Sequence, residues 1–188
     1  EALEIVREVE EVLRPKGLMI LDACFGLARQ WRREFLTELA KRPHRCGFWL
    51  QTRIDLIDDE DLPLLAKLNL KLDLGVDSLS ETMLNIMKKT TDAQGYLERF
   101  LDLSRKCSRL GIEHDAYLMF NHPGESRETL EEHEAFLRTR LVPELRGGML
   151  WIRSGTSMTP SSAATTRMTR SVTLAPRARI EVKASWPG

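Results

Sequence analysis

Short apolar runs alternate with helix-spaced apolar residues along residues 1–152, and this alternation constrains the fold more than any other feature. The runs lie at residues 18–21, 46–53, 70–74 and 116–120, with a weaker one at 149–152. Between the third and fourth runs, Tyr96, Phe100, Leu103 and Cys107 recur at steps of three and four residues, which is typical of one helix face. Strands that are linked by helices usually pair in parallel. The pattern therefore predicts an α/β fold with a parallel sheet.

Local patterns also predict where helices begin and which helix faces are buried. Ser78 with Glu81, and Thr129 with Glu132, have the spacing of a capping box. The acidic residues 58–61 precede another helical pattern, at a position where the helix dipole favours negative charge. The faces expected to be buried are Ile5, Val9, Val12 and Leu13 in the first helix, and Leu130, Leu137 and Leu141 in the last.

Polar or glycine-containing segments follow four of the apolar runs directly. These segments are Asp22, Arg53 with Asp55, residues 75–80 and residues 121–125. Parallel α/β sheets place their binding sites at the carboxyl ends of the strands, so the four segments are expected to line one common pocket. The location by itself names no reaction.

Charge and composition narrow the class of protein. The 28 basic and 28 acidic residues give a formal net charge of zero, which argues against a chain that mainly coats nucleic acid or an anionic membrane. No apolar run approaches the roughly 20 residues that span a bilayer, and no secretory signal pattern is visible. Three widely spaced cysteines form no disulfide framework and favour a reducing compartment. We therefore expect a cytoplasmic protein with no nucleic-acid partner and no membrane span.

The end of the chain differs from the rest. Residues 154–188 contain 12 serines and threonines, five basic residues and one acid. Such a segment lacks the large apolar side chains whose burial would offset the entropy of ordering. The expected organisation is one folded domain over residues 1–152, followed by a basic, disordered tail over residues 153–188.

Four segments at the ends of the predicted strands share an order and spacing with a known family. They are residues 21–25 (LDACF), 51–55 (QTRID), 74–89 (LGVDSLSETMLNIMKK) and 119–126 (MFNHPGES). Together they resemble the radical S-adenosylmethionine (SAM) superfamily, and most closely the branch whose members often carry an N-terminal cobalamin-binding domain. Asn121 stands where this family commonly has glycine, and asparagine tolerates the left-handed backbone angles of such a position.

The resemblance implies a partial TIM-type barrel of six β/α units, of which this chain would supply strands two to six. It also implies SAM and a 4Fe–4S cluster as cofactors. The cluster reductively cleaves SAM to a 5′-deoxyadenosyl radical, which abstracts hydrogen from a small-molecule substrate, and an electron-donor protein supplies the electron. Cobalamin on a separate domain is a further cofactor of this branch, which carries out methylations and rearrangements.

The cysteines depart from the family pattern. The family holds its cluster with a Cys-x3-Cys-x2-Cys motif after the first barrel strand, whereas Cys24, Cys46 and Cys107 are separated by 22 and 61 positions. No metal site is predicted from these thiols or from the histidines. Two interpretations stay open: a radical SAM enzyme that is truncated at its N-terminus, or a degenerate, non-catalytic relative that binds SAM or a partner.

The resemblance also implies roles around the SAM amino acid and ribose. Asp22 would lie near the amino group, and Asp77 and Ser78 near the ribose or the methionine part. Lys88 would pair with the SAM carboxylate, with Lys89 as the competing choice.

Two further segments complete the implied SAM site. Arg53 would project toward SAM or the substrate. The turn at residues 121–124, which includes Asn121 and Gly124, would shape the adenine end. No residue is assigned a catalytic role.

Each of these residues also has a purely structural explanation. Asp22 could cap a helix, and Arg53 could simply pair with Asp55, which is worth ~1 kcal/mol or less at an exposed strand end. Lys88 and Lys89 could form a solvated helix end. A third functional class also stays open, namely an ordinary TIM-like enzyme that acts on phosphate or sugar substrates through its acidic strand ends.

Overall fold

The computed structural model describes residues 1–20, 22 and 24–141, together with the backbone of residues 150–156, 171–174, 178–181 and 183–184. The helices are α1 (Ala2–Val12), α2 (Arg29–Leu39), α3 (Leu62–Lys67), α4 (Glu81–Ile86), α5 (Ala93–Leu110) and α6 (Arg127–Phe136). The strands are β1 (Gly17–Ile20), β2 (Gly47–Arg53), β3 (Leu70–Asp77), β4 (Glu113–Phe120), β5 (Leu150–Thr156), β6 (Ser171–Leu174), β7 (Ala178–Glu181) and β8 (Lys183–Ala184). A 3-10 turn, Ile54–Leu56, follows β2, and a π-helical turn, Leu137–Leu141, follows α6.

Strands β1 to β5 form one parallel sheet in sequence order, and β8 pairs in parallel with β5. Helices connect the first four strands, as in a partial β/α barrel. The α/β prediction and the implied partial barrel are therefore confirmed. In the part of the chain that the structure describes, β1 pairs only with β2 and is an edge strand.

The two faces of the central strands differ in character, because successive residues of a strand point to opposite sides. One set belongs to the hydrophobic core with the helices: Phe48, Leu50, Leu70, Leu72, Leu74 and Val76 from β2 and β3, and Phe100 and Cys107 from α5. The other set forms what we call the inner face: Trp49, Gln51 and Arg53 on β2, Lys71, Asp73 and Gly75 on β3, and Asp115 and Tyr117 on β4. The inner face is thus mostly polar.

Serine residues cap α4 and α6, but not at the predicted positions. Ser80 Oγ accepts a hydrogen bond from the Met83 N–H, and Ser126 forms a capping box with Thr129. The capping boxes predicted to start at Ser78 and at Thr129 are therefore wrong by two and three residues. The spacing of serine and glutamate does not reveal where the preceding strand or loop ends, and this end point selects the cap.

The first and last helices also bury faces that differ from the prediction. Ile5 and Val12 of α1 are exposed, and Val6 is the buried residue of that helix. Of the residues predicted for the last helix, Leu130 is exposed, whereas Leu141 is buried as predicted, in the turn that follows α6. His133 is the further buried residue of α6. Apolar spacing identifies a face of a helix, but it does not show whether a neighbouring element covers that face.

A buried arginine connects α2 to the segment that precedes α3. Arg32 Nη2 lies 2.6 Å from Asp58 Oδ2 and 2.9 Å from Asp61 Oδ2, and its Nη1 donates to the Gly26 carbonyl oxygen at 2.8 Å. Both Arg32 and Asp61 are buried, so each charge is balanced by the other instead of by water. The acidic residues 58–61 precede a helix, as predicted. Two of them, Asp58 and Asp61, also form ion pairs with Arg32.

Buried His133 connects α6 to the end of β3. Its Nε2 lies 2.9 Å from Ser78 Oγ, and its Nδ1 accepts a hydrogen bond from the Leu79 N–H at 3.3 Å. Burial lowers the pKa of His133 to about 4, because the charged ring would lose its hydration. The histidine is therefore neutral in the folded protein at neutral pH.

We expect the free energy of unfolding to decrease as the pH falls from about 6.5 to about 4. The unfolded chain protonates His133 near its ordinary pKa of 6.5 and the folded chain only near 4, so the unfolded state binds more protons in this window. At about pH 4, the loss of unfolding free energy that comes from His133 reaches about 3 kcal/mol. Urea unfolding at several pH values gives the free energy of unfolding at each pH. Plotted against pH, this free energy should have a smaller slope for His133→Gln than for the natural chain. Identical slopes in the two proteins would contradict the prediction.

The predicted disordered tail, residues 153–188, lies mostly outside the described residues, and both its disorder and the domain boundary stay predictions. The described exceptions are the backbone of the short strands, including β5, which was expected at residues 149–152 and is found at Leu150–Thr156. Within the described ranges, no helix combines the length and the apolar character that crossing a membrane requires.

Candidate functional site

The predicted site segments lie at the carboxyl ends of β1 to β4, along one edge of the parallel sheet. Asp22 follows β1 and is exposed. Its Oδ1 accepts a hydrogen bond from the Cys24 N–H at 3.0 Å, so it stabilises a local turn. Asp22 does not cap α2, whose N-cap residue is Ala28.

Arg53 ends β2 and is held in a fixed orientation. Its Nε and Nη2 each donate to a different carboxylate oxygen of Asp55, both at 2.8 Å, and Nη2 also lies 3.3 Å from the Lys89 carbonyl oxygen. The two-bond contact with Asp55 raises the pKa of Arg53, and the same contact lowers the pKa of Asp55. Both groups are therefore charged at neutral pH, and both are partly exposed to a ligand.

Asp77 ends β3 and forms an ion pair with Lys89, whose Nζ lies 2.5 Å from Asp77 Oδ2. The β3–β4 register shifts between Gly75 and Asp77, and Asp77 adopts a φ of 68°. Such an irregularity redirects a side chain at the end of a strand. Of the two lysines considered in the sequence analysis, Lys89 is the one that lies beside Asp77. Lys88 is exposed and has a φ of 52°.

Tyr96 of α5 joins this group from the helix side. Its hydroxyl donates to the Gly75 carbonyl oxygen at 3.0 Å, which ties the end of β3 to α5. Burial raises the pKa of Tyr96, and the nearby Asp77 and Asp55 carboxylates raise it further. The helical spacing marks Tyr96 only as a core residue, and nothing in the sequence indicates that its hydroxyl reaches the site.

Ser78, which follows β3, is fully buried, so its side chain is not exposed to a ligand. Its Oγ contacts His133 Nε2 at 2.9 Å and accepts a hydrogen bond from the Ser80 N–H at 3.0 Å. In this arrangement Ser78 joins β3, α4 and α6, and its hydroxyl is already in use.

The turn after β4 has the backbone angles that its sequence suggests. Asn121 has a φ of 61° and Gly124 a φ of 94°. A Cβ atom at Gly124 would lie 3.1 Å from Ile86 Cγ2, so the position is also sterically restricted. The Glu125 carboxylate accepts a hydrogen bond from the Asn121 N–H at 2.8 Å and closes the turn.

The structure therefore brings five of these residues into one contact group, which we call the strand-end cluster. Its members are Arg53, Asp55, Asp77, Lys89 and Tyr96. It contains two basic and two acidic side chains. Asp22 and residues 121–124 flank it at the ends of neighbouring strands, and their role in binding stays a prediction.

The three thiols do not form a cluster site. Cys46 donates to Glu10 Oε1 at 3.3 Å, and burial raises its pKa to about 11. Burial in α5 raises the pKa of Cys107 to about 12, while Cys24 is partly exposed beside the site. Metal ligation requires thiolates close to one another. Among the described residues no group of three His, Cys, Asp or Glu side chains could hold a metal ion, so these residues do not fit a 4Fe–4S cluster.

We expect anaerobic reconstitution of this chain with iron and sulfide to give no stoichiometric 4Fe–4S cluster. Two of the three thiols are buried and protonated, and they lie on separate elements. Iron and sulfide analysis with visible absorption measures the outcome. A Cys24→Ala variant should behave as the natural chain does, and a full cluster in the natural chain that this variant loses would overturn our account of the thiols.

Comparison with known families decides the evolutionary assignment. The model for the radical SAM superfamily matches residues 1–137, which is most of the chain. The chain belongs to the radical SAM superfamily. This assignment confirms the resemblance that the strand-end segments suggested. A search of curated proteins found no match to the chain.

Three solved structures share the fold. The methyltransferase TsrM from Kitasatospora setae, with cobalamin and a [4Fe-4S] cluster bound, has a TM-score of 0.64 at 23% identity over 82% of this chain. The cobalamin-dependent radical enzyme OxsB has a TM-score of 0.55 at 19% identity over 71% of this chain. The archaeal Elp3 of Methanocaldococcus infernus has a TM-score of 0.51 at 19% identity over 78% of this chain. This radical SAM chain spans 31%, 21% and 39% of those three chains respectively.

Proposed function

We propose that this chain is the SAM-binding core of a radical SAM enzyme and that the strand-end cluster holds SAM. The observation that carries the proposal is the pairing of Arg53 with Asp55 and of Lys89 with Asp77 at the carboxyl ends of β2 and β3, in a chain of this superfamily. Parallel α/β proteins bind ligands at that end of the sheet. In this family, bound SAM supplies the radical chemistry when it is reduced by a 4Fe–4S cluster.

The charges of the strand-end cluster match those of SAM. SAM carries a carboxylate, an ammonium and a sulfonium group, so it needs partners of both signs. Lys89, with Arg53 beside it, would bind the carboxylate, and Asp77 would accept hydrogen bonds from the ammonium group or the ribose hydroxyls. Exchanging the Lys89–Asp77 pair for pairs with the SAM carboxylate and ammonium leaves neither of these two side chains unpaired, which keeps their desolvation cost low.

The flanking segments would hold the rest of the ligand. Asp22, at the end of β1, would face the amino end. The left-handed turn at residues 121–124 would present backbone groups to the adenine ring. Ser78 would position β3 and α6 through His133 and would not touch SAM, because its side chain is fully buried.

The reaction of the complete enzyme is proposed more broadly. Two neighbouring structures are described as cobalamin-dependent or cobalamin-bound radical SAM enzymes, which supports a cobalamin-associated methylation or rearrangement of a small molecule. An electron-donor protein would be the redox partner. Because the described thiols do not fit the cluster, its ligands would have to lie outside the described residues.

Calorimetric titration of the chain with SAM tests the proposal without requiring turnover. We expect one saturable site that S-adenosylhomocysteine also occupies and ATP does not, because ATP lacks the amino-acid part that the paired charges would bind. The absence of saturable SAM binding, or equal binding of ATP, would reject the proposed site.

A further inference from the structure

Gly75 interrupts the row of side chains on the inner face at the carboxyl end of β3. The register places it between Arg53 of β2 and Tyr117 of β4, so a residue without a side chain lies between two long ones. Adjacent strands are roughly 4.8 Å apart, which leaves a gap about one side chain wide above Gly75. We call this gap the Gly75 slot. Because Gly75 is partly exposed, whereas Asp73 before it on the same face is fully buried, the slot opens at the strand end.

The fold does not require a glycine at this position. Gly75 is not among the described glycines that have a positive φ, so its backbone angles are open to other residues. A Cβ atom on Gly75 would lie 3.6 to 4.0 Å from its three nearest neighbours among the described residues, which are ordinary van der Waals distances. Glycine inside a strand is destabilising, because its backbone loses more freedom on folding than that of alanine. The strand therefore contains a destabilising residue that alanine could replace without strain.

The atoms around the Gly75 slot indicate what the glycine leaves accessible. A Cβ atom at position 75 would lie 3.8 Å from Asp77 Oδ1 and 4.0 Å from Lys89 Nζ. These two groups form the ion pair to which the proposed function assigns the amino-acid part of SAM. The Tyr96 hydroxyl donates to the Gly75 carbonyl oxygen at 3.0 Å, so this part of the backbone is held in place from the helix side. A glycine in a strand often marks a close approach of a ligand to the backbone, and here that approach leads to a paired ammonium and carboxylate.

We propose that Gly75 is a specificity-determining residue, which admits the amino-acid end of SAM to the Lys89–Asp77 pair. The aminocarboxypropyl chain of SAM would lie in the Gly75 slot against the backbone, with its carboxylate toward Lys89 and its ammonium group toward Asp77. A side chain at position 75 would fill the slot and keep this end of the ligand away from the pair. Ligands without an amino-acid end would bind without entering the slot. The inference rests on the proposed function, because it concerns how SAM reaches the same cluster.

Gly75→Ala in the full chain tests the slot, because its effects on folding and on binding should differ. The midpoint of thermal unfolding should stay the same or rise, since alanine fits the position and restricts the unfolded chain. Calorimetric titration should show a SAM affinity at least about fivefold lower, because an added methyl group in a close-packed contact has a cost of this order or more. Gly17→Ala is the matched control. Gly17 is the first residue of β1, at the other end of the sheet, and its Cβ would meet the Gly47 carbonyl oxygen at 3.8 Å, so this variant should keep the natural SAM affinity.

A second ligand separates the slot from general damage to the site. 5′-Methylthioadenosine keeps the adenosine part of SAM and lacks the amino-acid end, so Gly75→Ala should leave its affinity unchanged. The natural SAM affinity in Gly75→Ala, an equal loss for 5′-methylthioadenosine, or a Gly75→Ala chain that unfolds at a lower temperature or does not fold would overturn the inference. If the natural chain binds SAM and Gly75→Ala binds it equally well, the slot alone is rejected and the proposed function stands. If the natural chain does not bind SAM, both are rejected.

Discussion

Replacing Arg32 by leucine is expected to lower the free energy of unfolding by about 3–5 kcal/mol. Arg32 Nη2 contacts both Asp58 and Asp61, and Asp61 is fully buried. Without the guanidinium group, the buried Asp61 charge either keeps only the longer 3.9 Å contact with Arg33 Nε or takes up a proton. Domains of this size are stable by about 5–15 kcal/mol, so the loss is a large part of the total. Urea unfolding monitored by circular dichroism measures it.

A nearby arginine provides the control for this experiment. Arg29 Nε lies 2.8 Å from the same Asp58 carboxylate, but its side chain is 63% exposed. Exposed ion pairs contribute about 0–1 kcal/mol, so Arg29→Leu should have little effect. Adding Asp61→Leu to Arg32→Leu should recover part of the stability, because it removes the buried charge that Arg32 balanced. An Arg32→Leu effect no larger than that of Arg29→Leu would contradict the assigned role.

Replacing Lys89 by methionine is expected to weaken SAM binding at least about tenfold, which corresponds to one lost charge-assisted hydrogen bond. Lys89 Nζ is the ammonium group beside Asp77 in the strand-end cluster. Methionine has a similar length and keeps the apolar contacts of the lysine stem. Calorimetric titration with SAM, at a temperature where both proteins are folded, measures the change.

The neighbouring lysine makes this test specific. Lys88 is exposed, so Lys88→Met should leave SAM affinity unchanged. Lys89→Arg should retain part of the affinity, because it keeps the charge and changes only the geometry. An equal loss in the two methionine variants, or a loss in Lys88→Met alone, would show that the wrong lysine has been assigned to SAM.

The strands and most helices could be predicted because their apolar patterns are local. The β2 prediction, residues 46–53, differs from the observed Gly47–Arg53 by one residue. The end of α5 at Gly111, which has a φ of 71°, follows from the preference of glycine for left-handed angles. The caps of α4 and α6 could not be located as well, because several serines and threonines lie within a few residues of each start.

The site was predictable only in outline. Parallel topology is sufficient to place Asp22, Arg53, Asp77 and Asn121 at one edge, and the structure places them there. The direction of a side chain within a loop could not be predicted in this way. The left-handed angle of Lys88 and the burial of Ser78 both depend on how α4 meets its neighbours, which no spacing in the sequence reveals. Asp73 alternates with leucines as an exposed strand residue would, yet it is buried on the inner face.

The distribution of left-handed residues has a consequence for ligand affinity. Among the described residues, the non-glycine residues with positive φ are Arg14, Asp77, Lys88 and Asn121. Of these four, Asp77 is the last residue of β3, and Lys88 and Asn121 lie in the connections that follow α4 and β4. Each such angle costs roughly 1–2 kcal/mol, which the fold already bears before a ligand arrives. A ligand that binds there would meet preorganised loops, and the entropy lost on association would be correspondingly smaller.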